Sequence, residues 1–196
     1  MLIIHGGDAF DTYKEYLENL RRETLDFEDL FKKGWKNSLQ DKLGDKFQVI
    51  TPRMPNGNNA KYLEWKIWFE KIIPFIKNGV ILIGHSLGGM FLAQYLAENK
   101  FPKKIKATII VAAPHTDELN ESLADFIIPK NLKLLEKQGG NIFLYYSSDD
   151  LVVPNALKHL KVYQKALPKA IAKIFTDHGH FSIPEFPEIV NQIKKL

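Results

Sequence analysis

Cysteine is absent from this 196-residue sequence. A chain without thiols forms no disulfide, no thiolate zinc site and no cysteine nucleophile, so covalent catalysis would need another side chain. Long apolar runs are also missing, since none approaches the roughly 18 residues of a membrane-spanning helix. The first residues, MLIIHGGDAF, lack the basic start of a secretion signal. We therefore expect a cytoplasmic protein with no membrane span.

A strong charge of one sign is missing as well. The formal net charge is +4, and basic residues alternate with acidic ones in stretches such as YLENLRRETLDFEDLFKKGWK. This alternation is typical of solvated helix faces, whereas nucleic-acid surfaces carry clusters of one sign. The phosphate-loop patterns GxxxxGK[ST] and GxGxxG are absent too. We predict no nucleic-acid partner, and no motif indicates a protein partner or an oligomeric state.

The composition is that of a globular chain. Hydrophobic residues make up 45% of the sequence and aromatic residues 12%, far from the composition of disordered segments. A chain of this length builds one sizeable core, and no internal repeat or low-complexity linker divides it. We therefore predict a single domain over residues 1–196.

Short apolar runs alternate with longer helical patterns. Six such runs occur, at residues 2–5, 47–51, 79–84, 107–113, 141–147 and 170–176. Continuous apolar runs are typical of strands buried on both faces of a parallel sheet, which helices must then cover. The predicted fold class is α/β: a three-layer α/β/α sandwich around a doubly wound, mainly parallel sheet of about six strands. Trp65 and Trp68, on a helical pattern, are expected to pack in its core.

Two connections are too long for simple crossovers, residues 8–46 and 114–138. Ligand sites in such sheets form outside the carboxyl ends of the strands, so we predict that both segments form walls of a pocket. The second contains apolar residues that would suit an acyl group or, alternatively, the core; these are Leu119, Leu123, Phe126 and Ile127.

A serine framed by glycines follows the third apolar run, in the stretch LIGHSLGGMF. Gly84, Ser86 and Gly88 match GxSxG, the pattern of a nucleophile elbow, in which the serine occupies a sharp turn between a strand and a helix. The preceding VILI favours a strand and the following MFLAQYLAEN favours a helix, which is the required context. Ser86 is therefore a candidate nucleophile, and the alternative is a small residue at a crowded turn.

An acyl-transfer site also needs donors for an oxyanion. The turn after Ser86 would supply the backbone N–H of Leu87 at a helix N-terminus. The glycine-rich turn HGGD after the first run could add the N–H of Gly7 or Asp8, unless it is an ordinary tight turn. We expect His5 itself to make structural hydrogen bonds.

A serine nucleophile needs a histidine and an orienting carboxylate, in the chain order Ser, Asp or Glu, His. The fifth run leads into Asp149 and Asp150, and the sixth into His178 and His180. We favour Asp150, which begins DLVVP, because the proline can start the next helix while Asp149 caps a turn. We favour His180 because the preceding glycine allows the loop to bring its imidazole over the elbow.

The same four side chains could instead bind a metal ion. A metal site would not explain the GxSxG pattern around Ser86, so we predict no metal and no other cofactor. Of the remaining candidates, His115 follows a strand and Phe181 adjoins His180, and both are predicted to contact substrate. His85 is expected to pack or hydrogen-bond, and His159 to lie on an exposed helix face.

Together these motifs resemble the α/β-hydrolase superfamily. More narrowly, the chain is similar to the YdeN-like small serine hydrolases, the group that includes the retinoblastoma-binding serine hydrolase of animals. The resemblance lies in IIHGG, ITPRMPN, YLEWKIWFEKIIPFI, ILIGHSLGG, SSDDLVVP and DHGHF. It implies Ser86 as nucleophile, Asp150 as acid and His180 as base, on a compact minimal α/β-hydrolase fold with little or no cap. The charged segment from about Asp11 to Asp45 departs from the smallest members.

The sequence thus predicts a serine hydrolase without a cofactor. Its substrate would be a small carboxylic ester, or a thioester or amide, cleaved through an acyl-enzyme by a Ser-Asp-His triad. Two alternatives stay open. The same triad could transfer the acyl group to an acceptor other than water, or the fold could serve as a non-catalytic binding module.

Overall fold

The computed structural model describes residues 1–27, 31–119 and 123–196. Within these ranges five strands form one sheet, in the same order as along the chain. All neighbouring strands are parallel, which confirms the predicted α/β class. The strands are β1 (Leu2–Ile4), β2 (Val80–His85), β3 (Ile105–Val111), β4 (Asn141–Ser147) and β5 (Ile171–Phe175).

The run at residues 47–51 does not form the predicted sixth strand. Only Ile50 bridges to Leu2, on the outer side of β1. The pairing stops after Ile50 because Pro52, the next residue that faces β1, has no N–H to donate. On the side away from β1, the Gln40 side chain bonds the carbonyl of Phe47 and the N–H of Val49, both at 2.9 Å. The segment therefore lies beside β1 as an isolated bridge.

Helices cover both faces of the sheet, which confirms the three-layer sandwich. One face is covered by α2 (Trp35–Leu43) and α7 (Pro187–Lys194). The other is covered by four helices, α3 (Tyr62–Ile72), α4 (Leu87–Glu98), α5 (Lys133–Gln138) and α6 (Ala156–Ala166). The chain reaches Ile50 through α2 on the first face and returns to β2 through α3 on the second. This reversal of winding next to β1 defines a doubly wound sheet.

The first long connection contains two helices of different character. Its first helix, α1 (Tyr13–Arg22), has a capping box in which Thr12 Oγ1 accepts the Glu15 N–H at 3.2 Å and Glu15 Oε2 accepts the Thr12 N–H at 2.9 Å. No side chain of α1 is buried, whereas α2 buries Trp35, Leu39 and Leu43. Of these two helices, only α2 therefore contributes side chains to the core.

The two tryptophans of α3 differ. Trp65 is fully buried and donates its indole N–H to the Pro55 carbonyl at 2.8 Å. Trp68 is 43% exposed, so the expectation that it packs in the core is wrong. The buried face of α3 consists of Tyr62, Trp65 and Phe69, and Trp68 lies beside that face rather than on it. None of the described helices is long and apolar enough to cross a membrane.

Gly88→Ala should destabilise the fold, although alanine normally favours a helix by about 1 kcal/mol over glycine. A Cβ there would lie 2.4 Å from the carbonyl oxygens of Ile4 and His5, and these buried backbone atoms cannot move aside. We expect a loss of about 1–3 kcal/mol in the free energy of unfolding, measured by urea titration. Gly34→Ala is the control, because a Cβ at Gly34 would meet its nearest atom at 3.8 Å. Equal stability of the two variants would contradict this packing.

Candidate active site

Ser86 connects β2 to α4 in a conformation that residues with side chains rarely adopt. Its φ is +55° and its ψ is −125°, a backbone geometry that persists only where the surroundings hold it. The Ser86 N–H donates to the Val111 carbonyl at 2.8 Å, and the Ser86 carbonyl accepts the Gly89 N–H at 2.8 Å. The turn is therefore held at both ends, by β3 and by the first turn of α4.

The glycines around Ser86 are required by close backbone packing. A Cβ on Gly84 would lie 2.4 Å from the Gly88 carbonyl oxygen, and a Cβ on Gly89 would lie 2.6 Å from Ala113 Cβ. The strand and the helix approach too closely here for any side chain. This explains why the serine is flanked by glycines, as the sequence pattern indicates.

The ends of β4 and β5 bring a carboxylate and an imidazole together. His180 Nδ1 lies 2.9 Å from Asp150 Oδ2. The Asp150 side chain is fully buried, and its other oxygen accepts the N–H groups of Val152 and Val153, both at 2.9 Å. A carboxylate bonded in this way is acceptor only, so His180 Nδ1 carries the proton and Nε2 is left as the basic nitrogen.

The alternative residues have other surroundings. Asp149 accepts the Ser147 hydroxyl and the Gly179 N–H, and the Ser147 bond is the main reason that its pKa is lowered. His178 Nδ1 lies 2.7 Å from Asp177 Oδ1, and its ring stacks on Phe175 at 4.2 Å. Asp149 thus bonds the loop that carries His180, and His178 packs against the end of β5. In the described ranges no three His, Asp or Glu side chains are placed to hold a metal ion.

His85 adjoins both Ser86 and His180. The ring centroids of His85 and His180 are 5.0 Å apart, and His85 directly precedes Ser86. No hydrogen bond in the described part of the chain joins Ser86 Oγ to His180. Contacts between a nucleophile and its base are often loose before substrate binds and tighten in the substrate complex.

Backbone donors also meet at this edge. Leu87 is the first residue of α4, and its N–H belongs to the positive end of that helix. The Asp8 N–H donates to the Gly57 carbonyl at 2.9 Å, so it is already used, and Gly7 remains the better candidate for the second oxyanion donor. A Cβ on Gly7 would lie 2.3 Å from the Gly57 oxygen. His5 Nε2 accepts the Met54 N–H at 2.9 Å, the structural role expected of it.

A cavity of about 400 Å³ opens beside Ser86, at the carboxyl ends of β2, β3 and β4. Both long connections contribute to its wall, as predicted. Its lining is formed by Gly7, Asp8, Ala9, Phe10, Asn19, Ser86, Leu87, Pro114, Glu118, Leu119, Leu123, Val152, Val153, Pro154 and His159. Most of the lining is apolar, with a few polar groups near the serine, which is typical of small-molecule sites.

His115 and Phe181 are not among the residues that line this cavity, so their contact with substrate stays a prediction. The His115 ring packs edge-on against Tyr163 at 4.9 Å. Phe181 is buried among aromatic rings on the opposite face of the sheet, 5.2 Å from Phe186. Both side chains belong to the core. Of the four apolar residues in the second connection, Leu119 and Leu123 line the cavity, Phe126 lies in the core and Ile127 is exposed.

His159 was expected on an exposed helix face, and that expectation is wrong. It is 1% exposed and lines the cavity, and its Nδ1 accepts the His115 N–H at 2.9 Å. Helical spacing carries the missing signal, because Ala156, His159, Leu160 and Tyr163 form the buried face of α6.

The pKa values of two ionisable side chains beside the site are strongly shifted. Burial, followed by the positive charge of Lys36, holds the pKa of His85 well below its usual value, so this imidazole is neutral. Burial also lowers the pKa of Lys36 to about 8. At the cavity, burial and the nearby Glu23 raise the pKa of Asp8, and His180 opposes that shift.

Comparison with known proteins identifies the class. The profile of the alpha/beta hydrolase fold family matches residues 35–138, and the chain belongs to this family. Its sequence is 27% identical to serine hydrolase RBBP9 of Rattus norvegicus over 169 residues, which are 83% of this chain and 84% of that protein. These findings support a serine hydrolase.

Solved structures share the fold. The ydeN gene product of Bacillus subtilis superposes with a TM-score of 0.75 at 18% identity, covering 99% of this chain and 96% of that one. Naproxen esterase, a carboxylesterase of Bacillus subtilis, superposes with a TM-score of 0.58 at 13% identity, covering 99% and 82%. The high mutual coverage with the ydeN product is consistent with a minimal version of the α/β-hydrolase fold.

The neutral, buried His85 predicts how stability depends on pH. The unfolded imidazole takes up a proton near pH 6.5, whereas the folded one does so only at lower pH. Between these two pKa values the unfolded chain binds more protons, so the free energy of unfolding falls on acidification, by up to about 1.4 kcal/mol per pH unit from this group. Urea unfolding at about pH 7 and about pH 5 measures the effect.

His85→Gln is the matched variant, because its amide retains a donor and an acceptor but does not titrate. We expect the wild type to lose more stability than His85→Gln over this interval. If both proteins lost the same amount, the assignment of a neutral His85 would be contradicted.

Proposed function

We propose that this chain is a serine hydrolase that cleaves a small carboxylic ester through an acyl-enzyme. Ser86 is the nucleophile, His180 the base and Asp150 the residue that orients the base. The observation that carries this proposal is the bond of 2.9 Å between His180 Nδ1 and the buried Asp150 carboxylate. It leaves a basic Nε2 at the sheet edge where the strained Ser86 borders a cavity.

The reaction has two halves. His180 Nε2 takes the Ser86 hydroxyl proton as Oγ attacks the ester carbonyl carbon, and the N–H groups of Leu87 and Gly7 bind the resulting oxyanion. When the tetrahedral intermediate collapses, the ester bond breaks and the alcohol leaves with the proton from His180. Water then attacks the acyl-enzyme by the same steps, releases a carboxylic acid and restores Ser86.

Several observations support an ester with a modest acyl group. The cavity of about 400 Å³ is bounded largely by apolar side chains, among them Phe10, Leu119 and Leu123. Such walls bind an acyl chain through burial of apolar surface. The fold is shared with a carboxylesterase, and a thioester or an amide would be cleaved by the same residues.

Ser86→Ala should abolish ester hydrolysis. Removing the attacking oxygen leaves only binding and the oxyanion donors, so we expect kcat/KM to fall by about 10³-fold or more. The measurement is hydrolysis of p-nitrophenyl esters of increasing acyl length. Ser148→Ala is the control, since Ser148 is exposed in the loop after β4. Equal rates for wild type and Ser86→Ala would rule out the mechanism, and a folded wild type without any activity would favour a binding module.

A second pair of variants separates the two neighbouring aspartates. Asp150→Asn keeps the shape of the side chain, but its amide can hold His180 in the wrong tautomer, so we expect kcat to fall by about 10³- to 10⁴-fold. Asp149→Asn removes only loop contacts and should lower kcat by less than about tenfold. Ester hydrolysis with circular dichroism as a folding check measures both. A larger loss in Asp149→Asn would reverse the assignment.

A further inference from the structure

Lys36, at the start of α2, carries a half-buried amine. In the described ranges no Asp or Glu lies within ion-pair distance of it. A cation that is partly withdrawn from water and has no acidic partner needs hydrogen bonds to compensate for the lost hydration. The polar contact that the structure gives its Nζ is His85 Nδ1, at 3.0 Å, and the amine also lies 5.6 Å from the Trp35 ring centroid.

This contact and the one on the other side of the ring agree on the tautomer of His85. A protonated amine has three donors and no acceptor, so Nδ1 of His85 must accept. The neutral imidazole therefore carries its proton on Nε2. That nitrogen lies 2.8 Å from the backbone carbonyl oxygen of His180, to which it donates. Two hydrogen bonds in series thus connect Lys36 to the main chain of the proposed base.

The opposite tautomer of His85 would lose both of these hydrogen bonds. With the proton on Nδ1, the ring would point a hydrogen at the Lys36 amine and a lone pair at the His180 carbonyl. Both contacts would be repulsive, and burial prevents water from relieving them. The carbonyl of His180 would then move away from His85, and the imidazole of His180 would move with it.

The same turn of α2 holds the loop at two further carbonyls. The Trp35 indole N–H donates to the Phe181 carbonyl at 3.1 Å, and the Trp35 backbone N–H donates to the Ile183 carbonyl at 2.9 Å. Phe181 has a φ of +54°, which a phenylalanine adopts only when its surroundings impose it. The loop that carries the base therefore depends on external bonds, which come from α2 and, at His178 and Gly179, from the end of β4.

We propose that Lys36 is a positioning residue for hydrolysis: it stabilises the Nε2–H tautomer of His85, which the His180 carbonyl also requires, and through this histidine it holds the His180 main chain in place beside Ser86. The inference rests on the proposed function of His180 as the base. Asp150 orients the imidazole from one side of the site, and Lys36 with His85 holds its backbone from the other. Lys36 does not line the cavity, so it acts without touching substrate.

Lys36→Met tests this directly, because methionine keeps the apolar stem and removes the donor. We expect kcat for p-nitrophenyl esters to fall by about 10- to 100-fold, the effect of a small displacement of a catalytic group. KM should change little. Lys42→Met is the matched control: Lys42 is also on α2 and also contacts the C-terminal segment, through an exposed ion pair with Glu185 at 2.7 Å. It should leave kcat unchanged.

A spectroscopic signature separates positioning from a general loss of structure. The ¹⁵N chemical shifts of histidine side chains in uniformly labelled protein report the tautomer of each ring. Wild type and Lys42→Met should show His85 protonated on Nε2 only, and Lys36→Met should show a mixture. A wild-type His85 protonated on Nδ1, or an unchanged kcat in Lys36→Met, would overturn the proposal.

His85→Gln replaces the imidazole by a side chain that has no tautomers, and it can be combined with Lys36→Met. The amide of glutamine always presents a donor that can reach the His180 carbonyl, so adding Lys36→Met should lower kcat by less than about threefold in this background. An equal loss in both backgrounds would contradict the proposed coupling. A wild type that does not hydrolyse esters through Ser86 would instead contradict the proposed function. The ¹⁵N chemical shifts would still report the tautomer of His85 in that case.

Discussion

The left-handed backbone of Ser86 is the constraint on which the site depends. Close backbone packing surrounds it, since a Cβ on Gly84 would meet the Gly88 carbonyl in α4 and a Cβ on Gly88 would meet the Ile4 and His5 carbonyls at the end of β1. β3 fixes the turn by accepting the Ser86 N–H. A serine that would otherwise relax into an ordinary helix start is thereby held at the edge of the sheet, with a hydroxyl beside the cavity and a helix N-terminus behind it.

The parallel sheet supplies the rest of the arrangement. The carboxyl ends of parallel strands lie at one edge, so loops that are far apart in sequence become neighbours there. Asp150 follows β4, His180 follows β5, and the glycine turn at Gly7 follows β1. Hydrogen bonds hold two of these groups in place. The Asp150 carboxylate is fixed by two backbone N–H groups, and the His180 loop is fixed by α2.

The sequence was most informative where local chemistry and strand order agree. Continuous apolar runs predicted the sheet, and glycine spacing with strand and helix on either side predicted the turn at Ser86. The choice of Asp150 over Asp149 and of His180 over His178 agrees with the observed hydrogen bond. These predictions depend on nearby residues and on the general geometry of parallel sheets.

The errors arose where the surroundings of a segment decide the outcome. The run at residues 47–51 pairs with β1 only at Ile50, because Pro52 beyond it has no N–H to donate. Phe181 adjoins His180 in sequence, but its side chain lies in the core on the other face of the sheet. The bond from Lys36 to His85 joins positions 49 residues apart, and it emerges only from the fold.

The most direct test of the account is the identity of the reacting atom. Incubating the folded protein with a fluorophosphonate and mapping the adduct by peptide mass spectrometry locates the activated nucleophile. We predict a single modified side chain, Ser86, and no adduct in Ser86→Ala. A protein that hydrolyses esters while its adduct lies on another residue, or that is active yet unlabelled, would contradict the proposed mechanism.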